Sequence, residues 1–250
     1  MPKETVRMDT VWGWRGVLGF ICPSLYGALP DRGNYEIAPE GIAILASSLG
    51  INVVCPANLE EALTRVDHAA MAMADGGADF IHLAGPFGTL MPAADIVKRI
   101  ENVAKRPAST GIGDQIAALK TLAVKKICHV HPGHFREDYD HLFRKLYKDN
   151  DIEVVNFKGL ETPQTNNDVR RLPLYIPYEL ALKAYLEAPQ ADAIYIDCGA
   201  WGSPLLIDRL EEETGKPVIT HPQMFLWAGL KALKVKTPVK GYGKIFETLL

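Results

Sequence analysis

The amino-acid sequence predicts an α/β protein built on parallel strands, and three observations carry that expectation. Short β-branched runs alternate with segments of helical periodicity. The helical segments are long enough to return the chain to the start of a parallel neighbour. One strand-length segment before residue 85 is echoed before residue 198.

Strands are expected at 17–22 (VLGFIC), 51–54 (INVV), 79–83 (DFIHL), 126–130 (KICHV), 153–157 (EVVNF), 193–197 (AIYID) and 217–220 (PVIT). The first helix is expected as one element over 58–75. Asn58 and Glu61 have capping-box spacing there. Leu59, Ala62, Leu63, Val66, Ala69, Ala70 and Met73 share a face, and Gly76-Gly77 ends it. Tyr139, Leu142, Phe143 and Leu146 mark a helix over 136–148. Further helices are expected near 92–105, 113–122, 174–187, 204–214 and 223–233.

The echo pairs ADFIHLAG (78–85) with ADAIYIDC (191–198). Each segment follows a helix, opens a strand with Ala-Asp and stops at a strand-to-loop junction. The register sets Gly85 opposite Cys198. Gene duplication explains this, and so does the general similarity of parallel strands. If duplication holds, two βαβ halves face each other across a cleft lined by strand C-terminal ends, where open α/β sheets bind ligands.

Composition narrows the function classes. The 250 residues are 48% hydrophobic, enough for real cores, and the formal net charge is -3. No Lys/Arg run suggests nucleic acid or an anionic membrane as partner. The apolar runs are short and interrupted, so no membrane span is expected. MPKETVRMDTVWGWRG lacks the apolar core of a secretory signal. Cys22, Cys55, Cys128 and Cys198 are widely spaced without CxxC, which reads as reduced thiols in a cytoplasmic protein. There is no GxGxxG after the first strand, no GxxxxGK[ST] and no GxSxG, which argues against NAD, ATP and a serine hydrolase.

Three sets of side chains could carry chemistry. Cys198 sits at a predicted strand end before Gly199, Ala200, Trp201 and Gly202, with a helix expected from about Ser203. The positive end of that helix would favour thiolate. A buried thiol is otherwise only a small apolar side chain. His82, His129, His131, His134 and His221 lie in or just after strands. HVHPGH could supply two metal ligands, but HExxH is absent. His131 or His221 is expected to help bind an anion. Tyr26, Phe87 and Trp201 could wall an apolar pocket or pack the two halves together.

With Cys198-Gly199 at a strand end, the sequence resembles the aspartate/glutamate racemase superfamily, and within it the arylmalonate decarboxylase and maleate cis–trans isomerase branch. AIYIDCGAW, GKPVITHPQMFLW and GYGKIF carry the resemblance, supported by GFICPS, VDHA and GADFIHLAG. It covers most of residues 16–246. It implies two pseudo-symmetric Rossmann-like halves, each a parallel sheet flanked by helices, with the active-site cleft between them. The first half would comprise 16–112 plus 222–250, the second 113–221, and 1–15 an N-terminal extension.

Racemases and isomerases of that superfamily carry one cysteine per half. This chain keeps Cys198 and has Gly85 in the other place, as arylmalonate decarboxylase does. The resemblance therefore implies a cofactor-independent decarboxylase of a substituted malonate-type carboxylate. Its enediolate would be protonated by Cys198 as general acid, and a small carboxylate would be the partner. The implied substrate contacts are Pro23, Ser24 and Tyr26; Gly85, Pro86, Phe87 and Thr89; His131; Gly199 and Trp201; and His221. Two departures stand out: Pro86 offers no N–H in the anion-binding loop, and HPGHFRED has no tyrosine matching the family's. His131 or His134 would then contact the anion. The alternatives are a racemase or cis–trans isomerase, with Cys22 as a possible second thiol; a metal-dependent hydrolase or lyase using His131, His134 and His221; and a non-catalytic carboxylate-binding protein. Trp12 and Trp14 suggest packing on another surface, and homo-oligomerisation is open.

Overall fold

The computed structural model describes residues 12–24, 36–133, 137–161 and 165–250, with backbone alone at 137–139. The strands are β1 (Gly16–Ser24), β2 (Ile42–Ile51), β3 (Phe80–Leu83), β4 (Ala108–Thr110), β5 (Lys126–His131), β6 (Glu153–Gly159), β7 (Ala193–Ile196) and β8 (Val218–Thr220). The α-helices are α1 (Pro56–Leu63), α2 (Val66–Asp75), α3 (Ala93–Ala104), α4 (Gly111–Thr121), α5 (Glu137–Lys148), α6 (Asn166–Val169), α7 (Tyr175–Glu187), α8 (Ile207–Thr214) and α9 (His221–Ala232). Two four-stranded sheets result, in the orders β2-β1-β3-β4 and β6-β5-β7-β8, with every pairing parallel. The second order is the first repeated four strands later.

The echoed Ala-Asp has a mechanical cause. Asp79 Oδ2 accepts the Val17 N–H at 2.9 Å, and Asp192 Oδ2 accepts the Lys125 and Lys126 N–H groups at 2.9 and 2.8 Å. Asp79 N–H donates back to Val17 O, and Asp192 N–H to Lys126 O, both at 2.8 Å. In each half an aspartate at the start of the third strand clamps the start of the first. The register then matches: Phe20 lies beside His82, and His129 beside Tyr195. The last strands match too. Thr110 and Thr220 cap α4 and α9 with φ/ψ of -128/151 and -127/151.

Those two capped helices tie the sheets together. Phe225 of α9 packs on Phe20 of β1 at 4.9 Å and on His82 of β3 at 5.3 Å, although α9 follows a strand of the other sheet. From α4, the Gln115 amide donates to the Tyr147 hydroxyl on α5, and Lys120 Nζ to Asn150 Oδ1 at 2.8 Å. One apolar cluster accordingly spans both sheets, while a smaller one lies under α7 and α8.

The departures from expectation are local. The helix expected over 58–75 is two. Thr64 and Arg65 break it: the Thr64 hydroxyl donates to Glu61 O at 2.6 Å, and the Arg65 guanidinium binds Glu61 and Leu49 O. The Asn58–Glu61 capping box does not form. Cys55 is the N-cap, Pro56 opens the helix, and the Asn58 amide donates to Val53 O at 2.9 Å. The second strand is Ile42–Ile51, so INVV contributes only Ile51 to it. Among the described residues that strand pairs with β1 alone, and its edge position tolerates Ser47, Ser48 and Gly50, which hide the strand pattern. The three-residue β4 (AST) was too short and polar to register. Among the described residues no helix is long and apolar enough to cross a membrane.

Candidate active site

Both third strands stop at a residue in the left-handed region. Gly85 has φ 95° and Cys198 has φ 80°. Glycine accepts this freely, but an L-residue held there costs roughly 1–3 kcal/mol and persists only where its surroundings enforce it. The enforcing group is the neighbouring carboxylate: Asp197 Oδ1 accepts the Cys198 N–H at 2.6 Å. Cys198 is half-buried against the smaller core. Beyond it come a 3₁₀ turn at Gly199–Trp201, Gly202 at φ 60° and a second 3₁₀ turn at Ser203–Leu206. The expected helix near Ser203 begins as an α-helix only at Ile207, because Gly202 and Pro204 interrupt it. The helix-dipole argument for a thiolate therefore does not hold in the form anticipated.

Asp197 anchors a buried chain. His129 Nε2 approaches its Oδ2 at 3.7 Å, beyond hydrogen-bond length, and the Tyr195 hydroxyl donates to its Oδ1 at 3.4 Å. His129 Nδ1 is 2.8 Å from the Tyr147 hydroxyl, which accepts from Gln115. Burial pushes the Asp197 carboxyl up, but His129, the charge of His221 and the Cys198 N–H together hold it below the usual carboxylate range. Burial, reinforced by the charge of Asp197, pushes both tyrosines up.

His221 opens α9 beside a second network. His82 Nδ1 lies 2.9 Å from Asp114 Oδ2 and 3.0 Å from Ser109 Oγ, and Ser109 donates to Asp114 at 2.6 Å. The His82 and His221 rings meet edge to face at 5.9 Å. Burial, then the charge of His82, pushes the His221 imidazole from 6.5 down to about 4, against the pull of Asp197. His221 is thus neutral at pH 7, so its expected anion contact would be that of a neutral imidazole. A methyl group built on Gly111 would stand 2.5 Å from His221 Cε1 and 3.3 Å from Gly85 N; one on Gly199 would stand 3.7 Å from His221 Cδ2. Gly85, Gly111, His221 and the Cys198–Gly199 junction therefore meet in one place.

The other sequence candidates divide. Pro23 belongs with Gly85: a methyl group there would be 2.7 Å from Pro23 Cγ. Ser24 is buried, its Oγ 3.8 Å from Cys22 Sγ, and burial pushes the Cys22 thiol up to about 11. Thr89 does not present its hydroxyl proton, which goes to Pro86 O at 2.7 Å, as does its N–H at 2.9 Å. Phe87 and Trp201 are fully enclosed core side chains rather than open walls, one in each apolar cluster. His131 turns toward β6: a methyl group on Gly159 would meet its ring, and its Nδ1 accepts the Gly133 N–H at 3.1 Å. Tyr26 and His134 lie outside the described residues. Among those described, no three His, Cys, Asp or Glu side chains converge as a metal site. Asp197 and Asp114 were not singled out from sequence. The one available signal for Asp197 was its place beside Cys198.

Two parallel lobes of identical strand order, with a thiol at one strand end and glycine at its counterpart, define a protein of the aspartate/glutamate racemase superfamily. The family model for arylmalonate decarboxylase matches residues 18–246, and the chain belongs to that family. It is 20% identical to an arylmalonate decarboxylase of Bordetella bronchiseptica over 236 residues, 92% of this chain and 96% of that protein. It is 26% identical to a maleate isomerase of Pseudomonas putida over 148 residues, 59% of this chain but only 57% of the relative. A crystal structure of arylmalonate decarboxylase superposes with a TM-score of 0.79 at 19% identity, covering 93% of this chain and 99% of that one, a likeness of fold. The relatives are a decarboxylase and an isomerase, and this chain is an enzyme of their family.

Proposed function

We propose that the protein decarboxylates a substituted malonate-type carboxylate without a cofactor, with Cys198 protonating the enediolate. The observation that carries this reading is the asymmetry of the paired strand ends. Cys198 occupies one and Gly85 the other, and the Pro23 ring fills the space a side chain at Gly85 would need. Loss of carbon dioxide needs one proton donor, and one thiol stands there. Preorganised donors at the developing charge are worth ~3 kcal/mol each. With Thr89 committed to Pro86 and the Cys198 N–H to Asp197, that role falls to Ser24 and the backbone N–H groups from Gly199 onward. Residues 16–112 with 222–250 serve as one half and 113–221 as the other, a division supported by the packing of α9 on β1.

Carbon dioxide release from phenylmalonate, methylmalonate and butylmalonate tests the reading. Cys198→Ala is expected to lose at least a thousandfold in turnover and still bind substrate. An alanine variant within tenfold of wild type rejects the mechanism. A cis–trans isomerase is the second reading, favoured by the higher identity to the maleate isomerase. Conversion of maleate to fumarate with no carbon dioxide from any malonate would establish it instead.

A further inference from the structure

The matching of the two sheets extends past the cysteine. Leu83 pairs with Thr110 and Ile196 with Thr220, so the residue after each threonine is equivalent: Gly111 in one half, His221 in the other. Gly85 and Cys198 are equivalent in the same way. The second half thus supplies both reactive side chains, and the first supplies glycine at both matching places. The His221 ring uses the room this leaves, with Cε1 against the Gly85–Gly111 corner and Cδ2 against Gly199. Nε2 is bonded to both those carbons, so it lies between that corner and the Gly199 backbone. Neither ring nitrogen is hydrogen-bonded among the described residues, and neither is among the fully enclosed orphan atoms.

We propose that His221 is the second proton-transfer group of this site, acting from the Gly85 side while Cys198 acts from the other. This rests on the decarboxylase reading for the bound carboxylate and adds an activity to it: exchange of the α-hydrogen, and hence racemisation, of a 2-aryl carboxylate. Nε2 takes the α-hydrogen as a proton, and the C–H electron pair moves into the carboxylate to give the enediolate. Cys198 S–H then protonates the opposite face, and its bonding pair remains on sulfur. Proton exchange with solvent resets imidazolium and thiolate. A neutral imidazole is the form this step needs, and burial beside His82 favours it against the pull of Asp197.

The test uses enantiopure 2-phenylpropanoate in D₂O, with carbon dioxide release from phenylmalonate followed on the same preparations. Wild type is expected to racemise it with deuterium entering the α-position, and His221→Gln to lose at least a hundredfold of that rate. In His221→Ala, added imidazoles should restore exchange, faster with greater basicity. Should His221→Gln fail to fold, His221→Asn carries the same readout. No racemisation by a wild type that still releases carbon dioxide overturns the His221 proposal alone. Equal racemisation by wild type and His221→Gln overturns it as well. Racemisation that depends on both residues without any carbon dioxide release keeps the pair and overturns the decarboxylase reading.

Discussion

Cys198, the proposed proton donor, also carries a backbone strain that its neighbours maintain. Its φ of 80° would suit glycine, as the φ of 95° at Gly85 shows. The position therefore trades stability for placement of a sulfur atom. The trade can be measured by comparing two truncations. Cys198→Ala removes the thiol and keeps the Cβ that the left-handed region penalises. Cys198→Gly removes both, regains ~1–2 kcal/mol of backbone strain and gives back up to ~1 kcal/mol through the greater freedom of unfolded glycine. Both variants should be inactive, with the glycine variant unfolding at the higher urea concentration. If the alanine variant proves equally stable or more so, the carboxylate of Asp197 is not holding a strained residue.

At the scale of elements, the two sheets are kept in register by small polar devices. Asp79 and Asp192 each receive N–H groups from the start of a central strand, and hydrogen bonds to a charged group are worth ~1.5–3 kcal/mol. Asp79→Asn and Asp192→Asn should each cost about 1–2 kcal/mol in urea unfolding, with no direct effect on chemistry. Thr220→Ala should cost a similar ~0.5–2 kcal/mol through the lost cap, and should also impair α-hydrogen exchange because His221 is the next residue. A cap variant that loses stability without loss of that exchange would detach His221 from it. These devices explain why so much of the fold was legible. The buried runs of β1, β3, β5 and β7 announce themselves by composition, and the Ala-Asp echo is the visible trace of a repeated clamp. What stayed hidden was set by tertiary context. The edge position of β2 permits serines in a strand, three small residues (AST) suffice for β4, and Arg65 divides a continuous helical pattern by bonding outside its own helix. Of the candidate residues, Cys198, Gly85, Pro23 and His221 are brought together, and their sequence positions at or beside strand ends make that placement legible. The burial of Phe87 and Trp201 and the Thr89–Pro86 hydrogen bond were not legible, because sequence spacing does not encode them.

Across the whole molecule, ionisable groups are enclosed where the two sheets meet, so stability and pH are coupled. His221 titrates at 6.5 when unconstrained and about 4 when folded, because burial and His82 disfavour its charge. Between those values the unfolded chain binds a proton that the native site refuses, so unfolding gains ground as pH falls. The contribution of His221 is therefore complete above pH 6.5, declines as pH drops toward 4 and changes no further below. At about 1.4 kcal/mol per pH unit the full difference is up to about 3 kcal/mol, of which ~2 kcal/mol should be lost between pH 7.5 and 4.5. Asp197 is also held below its usual range, so its contribution too is lost as pH falls, but only at more acidic pH. Glu211, held above the usual carboxylate range by burial, also changes charge as pH falls, so the comparison with a variant lacking the imidazole isolates the histidine. Urea unfolding of wild type and His221→Gln at pH 7.5 and 4.5 should show a drop in stability smaller by about 2 kcal/mol in the variant, which has no imidazole to charge. Equal drops would mean that His221 already accepts a proton in the native protein near neutrality. The gap between the lobes would then be wetter than its packing indicates.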